Sequence, residues 1–192
     1  MINPEQGLPQ TKPSVLRELR GSRVFLRELV EADITTRYAR WMNDPCVTRY
    51  LESRFEAQTL ENIVQFVRNV RADPDSIMWA ICIGDAGDHV GNIKLGPVNW
   101  VHRFGDFGLM IGERSAWGRG YATETISLVS EFAFQDLRLH KLNAGMYRAN
   151  IGSRRAFEKA EFQLEGTRNS HFWTGDEYTD AYEMARFSGD RR

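Results

Sequence analysis

The sequence lacks an excess of charge of either sign: 25 Lys and Arg stand against 26 Asp and Glu in 192 residues, a net charge of −1. A chain so balanced carries no basic field, which argues against general attraction to nucleic acid or to an anionic membrane. Cysteine is scarce too. Cys46 and Cys82 lie far apart, without metal-ligand spacing, and read as free thiols of a reducing cytoplasm. No apolar run approaches the ~20 residues of a membrane span, and the polar, proline-bearing N-terminal stretch does not have the form of a signal peptide. Repeats and low-complexity linkers are also missing, so one domain is the simplest expectation, large enough to bury roughly two-thirds of the surface of its unfolded chain.

Against these absences stand clear hydrophobic periods. Three of the six prolines fall within residues 1–19, which show no sustained period and read as a flexible arm; a single domain is expected over 20–187, with 188–192 as a tail. "RVFLREL" (23–29) alternates as a half-buried strand. Asp33 is expected to cap a helix with Ile34, Tyr38, Trp41 and Met42 on one face, ended by "NDP" (43–45). A second helix is expected over about 58–71, stopped by "ADPD". Residues 77–84, 90–98 and 104–113 read as consecutive strands, the first two joined by "DAGD". A helix with Ala122, Ile126, Val129 and Ala133 inward follows, then a strand at 140–147 and a helix over 150–160 with Ala156, Phe157 and Ala160 inward. "FQLEG" (162–166), "HFW" (171–173) and "AYEMARF" (181–187) read as separate terminal strands. The order indicates an α/β fold of the α+β type, helices packed on a largely antiparallel sheet.

"WGRGYATE" (117–124) lies where a strand gives way to a helix. A helix N-terminus leaves N–H groups unpaired and carries partial positive charge, so it stabilises phosphate oxygens without a basic side chain. Gly118 and Gly120 supply backbone angles and clearance, while Arg119 and Arg114 add charge at the rim. A glycine-rich turn of this kind also occurs for purely structural reasons. Neither a P-loop nor a dinucleotide-binding glycine fingerprint is present.

The segment resembles the W-G-x-G-Y-A-T-E form of the acetyl-CoA loop in GNAT N-acetyltransferases, in the branch of the ribosomal-protein enzymes RimJ and RimL. "RVFLRELVEADI", "WMNDPCVTRYL" and "NIGSRRAFEKAEF" resemble further family segments in the same order, so the likeness runs from about residue 20 to 187. It implies a sheet of about seven strands flanked by about four helices, with a splayed central strand pair holding acetyl-CoA as acetyl donor and no metal. It also implies that backbone N–H groups of Gly118, Arg119, Gly120, Tyr121, Ala122 and Thr123 cradle the CoA pyrophosphate. Leu109, Met110 and Ile111 would pair with the pantetheine arm. Asn150 resembles the asparagine that bonds the arm near its thiol, and Ser153 the serine that protonates the departing thiolate. Arg155, with Arg154, is within reach of the CoA phosphates or belongs to a solvated helix face.

Direct transfer needs a neutral amine and stabilisation of the developing oxyanion, with no covalent enzyme intermediate. Many members of the family use a tyrosine where this chain has Phe157, and a glycine where it has Glu161. A phenyl ring cannot donate a proton, so that role passes to Ser153, another tyrosine or water. Asp106 and His171 are the base candidates, the latter because histidine accepts a proton near neutral pH. Trp41, Asn43, Tyr50, Glu52, Phe55 and Tyr178 are candidate acceptor-site residues, aromatic walls with a carboxylate suited to a cationic amine. A protein N-terminus, a polyamine or other small amine, and an amino-sugar nucleotide all stay open as acceptor, and a homodimer is left open. Two readings without turnover stand beside these: a silent CoA-binding module and a protein-interaction domain.

Overall fold

The computed structural model describes residues 11–189. Residues 1–10 and 190–192, which hold most of the expected tail and half of the expected arm, lie outside the described residues. The strands are β1 (Leu19–Arg20), β2 (Val24–Glu28), β3 (Ile77–Ile83), β4 (Asp88–Asn99), β5 (Phe104–Ile111), β6 (Lys141–Tyr147), β7 (Gln163–Trp173) and β8 (Tyr178–Phe187). The helices are α1 (Thr36–Met42), α2 (Pro45–Thr48), α3 (Leu60–Ala72), α4 (Tyr121–Gln135) and α5 (Ile151–Lys159). The eight strands form one sheet in the order β1-β2-β3-β4-β5-β6-β8-β7. The extra strand and helix beyond the expected number are the two-residue β1 and the four-residue α2, both too short to leave a hydrophobic period. From the expected arm, Lys12 Nζ donates to the carbonyls of Arg71 and Ser76, and Leu19 sits in the core.

Three local expectations are corrected. Asp33 does not cap α1: Thr35 does, its hydroxyl accepting from Tyr38 N–H. Asp33 instead ends a short 3-10 turn, accepting from Val30 N–H at 2.9 Å and from Arg27 at 2.6 and 2.8 Å. Pro45 does more than end α1, because it stands at the first position of α2, where its missing N–H costs nothing, behind an Asp44 cap on Cys46 N–H. The segments 162–166 and 171–173 are one strand, β7, with irregular register near Leu164–Gly166 and Arg168–Phe172. As the sheet's edge strand it is exposed along nearly its whole length, so burial imposes no alternation on its sequence.

Helices α4 and α5 cover one face of the sheet, where Trp79 meets Phe132 edge-on and Phe107, Phe157 and Phe162 form an aromatic cluster. Helices α1 and α3 cover the other, over Ala80 and Cys82. Phe157 is thus a core residue. The turn after α5 keeps the left-handed form that glycine favours although Glu161 occupies it, with φ 69°. Phe162 N–H reaches the Phe157 carbonyl and Glu161 N–H that of Glu158, both at 3.0 Å, closing a Schellman cap under the Phe157–Phe162 contact.

All strand pairs are antiparallel except β5 with β6, which pair in parallel over Phe104–Asp106 and Lys141–Asn143 alone. Beyond Asp106 the two strands diverge. That gap in the middle of the sheet positions everything described next.

Candidate active site

The first cavity, about 320 Å³, lies along the outer half of β5, beyond the point where β6 diverges. Leu109, Met110 and Ile111 form its β5 wall, and Gly118, Gly120, Tyr121 and Ala122 its end at α4. Asn150, Ser153 and Ala156 line it from α5, and Val47, Tyr50 and Leu51 cover it. Nine of the expected cofactor-site residues therefore converge on one cleft: Leu109, Met110, Ile111, Gly118, Gly120, Tyr121, Ala122, Asn150 and Ser153.

The backbone explains why α4 starts there. Gly120 is its N-cap at φ 82°, a left-handed conformation costly for any residue with a side chain. The first helical bond is Glu124 N–H to the Gly120 carbonyl. The N–H groups of Tyr121, Ala122 and Thr123 consequently have no partner one turn back in the helix, and the open space around Gly118 leaves room for a ligand beside them. Trp117 Nε1 donates to the Ile111 carbonyl at 2.7 Å and ties the loop to β5. Arg114, Arg119 and Arg155 are exposed, and neither they nor Thr123 line the cleft. Asn150 caps α5, accepting from Ser153 N–H at 3.2 Å, and both residues line the cleft.

Glu124, the last residue of the glycine segment, acts elsewhere. It accepts from Arg23 N–H at 2.8 Å, Arg23 Nε at 2.9 Å and the Ser22 hydroxyl at 3.1 Å, fastening α4 to β2. Burial alone raises its carboxyl pKa, but the hydrogen bonds from Arg23, Ser22 and Val24 outweigh burial and hold it below the ordinary value. The ionised form is therefore favoured in the fold, and its stabilisation is present above the unfolded glutamate pKa of about 4.3 and lost as pH falls through the lower folded value. Glu124→Gln is expected to lose about 1–2 kcal/mol at pH 7. Thermal melts should show the gap to the wild-type chain shrinking toward pH 3; a gap independent of pH would contradict the assignment.

A second cavity, about 410 Å³, lies on the opposite face under α1 and α3. Tyr38, Met42, Ile63, Phe66 and Met78 make it largely apolar, and its polar lining comes from Glu52, Ser53, Gln58, Asn92 and Lys94. Leu51, Leu109 and Met110 border both cavities. The two spaces thus meet at the outer half of β5.

The acceptor candidates divide. Glu52 lines the second cavity and Tyr50 the first. Tyr50 donates to the Ala149 carbonyl at 3.1 Å. Trp41 is buried, packed so closely on Gly112 that a Cβ there would lie 2.3 Å from the indole, and it lines neither space. Asn43 Nδ2 holds the Ala39 and Gln58 carbonyls. Phe55 lies under Arg54 and Tyr178 packs at a tilt against Trp173, both exposed and outside the lining of the two cavities. Neither base candidate reaches them. Asp106 sits at the point of divergence, accepting from Asn143 Nδ2 at 3.1 Å, and His171 is exposed on β7, edge-on to Phe172. Glu52 Oε1 instead accepts from Tyr147 at 3.0 Å. Burial and the Glu52 contact push the Tyr147 phenol up, so it stays protonated and donates. Lys94, Asn92 and Phe66 escaped the sequence reading, although Lys94 is the one charged residue in "VGNIKLGPV".

Among the described residues no group of three or more His, Cys, Asp or Glu is placed to hold a metal ion, and no helix is long and apolar enough to cross a membrane. A family model described as an acetyltransferase (GNAT) domain matches residues 23–163. The chain belongs to the GNAT acetyltransferases. It is an N-acetyltransferase, similar along 88% of its length to the uncharacterized N-acetyltransferase YoaA of Bacillus subtilis, 28% identical over 172 residues and matched over 96% of that protein. Among solved structures, this GNAT chain is similar to spermidine N-acetyltransferase from Vibrio cholerae in complex with CoA and spermine, at TM-score 0.77 and 21% identity, covering 87% of this chain and 96% of that one. It is also similar to RimL, a ribosomal L7/L12 alpha-N-protein acetyltransferase in complex with CoA, at TM-score 0.80 and 13% identity, covering 89% and 98%. At such identities the likeness is one of fold.

Proposed function

We propose that this GNAT chain transfers an acetyl group from acetyl-CoA directly to a small primary amine, in the cytoplasm. The observation that carries the reading is the meeting of the two cavities at Leu51, Leu109 and Met110, which gives donor and acceptor separate entrances and one shared wall. The donor cleft fits CoA on its own features. The unpaired N–H groups at the start of α4 suit a pyrophosphate, and the β5 edge that β6 leaves unpaired suits an amide-bearing arm. Gly118 to Thr123, Leu109 to Ile111 and Asn150 would hold it there. Acetyl-CoA, when bound, supplies the activated thioester.

The remaining chemistry falls to the chain's own side chains. Glu52 takes the proton of the incoming ammonium, since it is the carboxylate lining the acceptor cavity and Tyr147 orients it. Ser153 gives a proton at the thiolate side and recovers one, through water, from the nitrogen once it has bonded to the acetyl carbon. The cavity of about 410 Å³ is within the ordinary range for a small-molecule site, which favours a small amine over a protein N-terminus. The test is thiol release from acetyl-CoA against a panel of amines, alongside the melting temperature with CoA added. A CoA-dependent rise without thiol release on any amine would leave a binding module; no rise at all would remove the CoA reading.

A further inference from the structure

Three donors in the acceptor cavity have no partner among the described residues. Lys94, on β4, lines the cavity together with Met78, Phe66 and Met110, is half-buried, and makes no ion pair or hydrogen bond among the described residues. Asp73 feels its charge without bonding it. Two positions back on the same face of the strand, Asn92 is 2% exposed; its Oδ1 is engaged by His89 Nε2 at 2.9 Å, and its buried Nδ2 has no acceptor. The hydroxyl of Ser53 is likewise buried and unpartnered. Buried donors without acceptors are costly, so Asn92 Nδ2 and the Ser53 hydroxyl are groups that a ligand would complete.

Resting on the transferase reading above, we propose that the acceptor is a small amine that also carries a carboxylate and an apolar group, an α-amino acid or close analogue. Lys94 and Asn92 hold the carboxylate, while the amine lies toward Glu52 and the junction at Leu109. The register is compatible with this placement. Lys94 and Asn92 pair with Gly108 and Met110, so their backbones are one strand spacing, about 4.8 Å, from β5, whose Met110 borders both cavities. Polyamines fit poorly, because Lys94 repels a second ammonium and Glu52 is the one carboxylate lining the cavity.

Thiol release from acetyl-CoA should be measured on phenylalanine, leucine and methionine, on their primary amides, and on spermidine. The acids should exceed their amides in kcat/KM by at least about tenfold. Lys94→Met should bring that ratio close to one, mainly through KM, whereas Lys94→Arg, which keeps the charge, should retain it. Acetylation of spermidine or of the amides as readily as of the acids by the wild-type chain would overturn the inference and leave the transferase reading standing. Thiol release on none of these amines, with CoA bound, overturns the inference as well, and the transferase reading falls only if the wider amine panel also fails. The acid-to-amide ratio of the wild-type chain decides the matter even if the Lys94 variants fold poorly.

Discussion

Gly120→Glu should weaken CoA binding by at least about 100-fold, read by calorimetry on the folded variant. Two effects act together. The substitution places a carboxylate where the unpaired N–H groups of Tyr121, Ala122 and Thr123 await an anion, and it puts a side chain on a residue held at φ 82°. The second effect has its own control. Gly120→Ala carries the same left-handed penalty of about 1–2 kcal/mol without the charge, and its Cβ meets only the flexible end of Arg23, 3.1 Å away. Alanine is therefore expected to lower the melting temperature while retaining most of the affinity. Equal affinity in the glutamate variant and the wild type would remove the pyrophosphate from the α4 N-terminus.

Glu52→Gln should reduce kcat/KM on the best amine by at least about 100-fold, within the range for loss of a general base. The affinity for CoA should hold, because Glu52 lines the acceptor cavity and not the donor cleft. Asp106→Asn and His171→Ala are the comparison. Asp106 is engaged by Asn143 at the point of strand divergence, and His171 lies exposed on the edge strand. Each should change kcat/KM by less than about tenfold. The reverse ranking would return the proton to Asp106 or His171 and reduce Glu52 to a wall of the cavity.

The donor cleft was far more legible than the acceptor cavity. "WGRGYATE" is contiguous, and its meaning depends on a helix start, a local event set by neighbouring residues. The same holds for Asn150 and Ser153, three positions apart on the first turn of α5. Glu124 shows the limit even there: it belongs to the motif by sequence, yet its work is to clasp Arg23 a hundred positions away. The acceptor residues come from α1, the turn after α2, α3, β3, β4 and β5. Nothing in a linear pattern distinguishes Trp41, which Gly112 draws into the core, from Tyr38, whose ring lines the cavity. The exposed face of β7 hid a continuous strand for a related reason, since an edge strand wetted on both sides carries no alternation.

The sequence by itself determined the class of fold, the helix start where an anion can sit, and the family to which those segments belong. Each rests on residues adjacent along the chain or on a period within one element. Only the tertiary structure decided that β5 and β6 part after Asp106, that a second cavity opens on the far side of β5, and that Glu52, Asn92 and Lys94 face into it. Those outcomes depend on strand register and on which helix covers which face, relations between distant segments that no local spacing encodes.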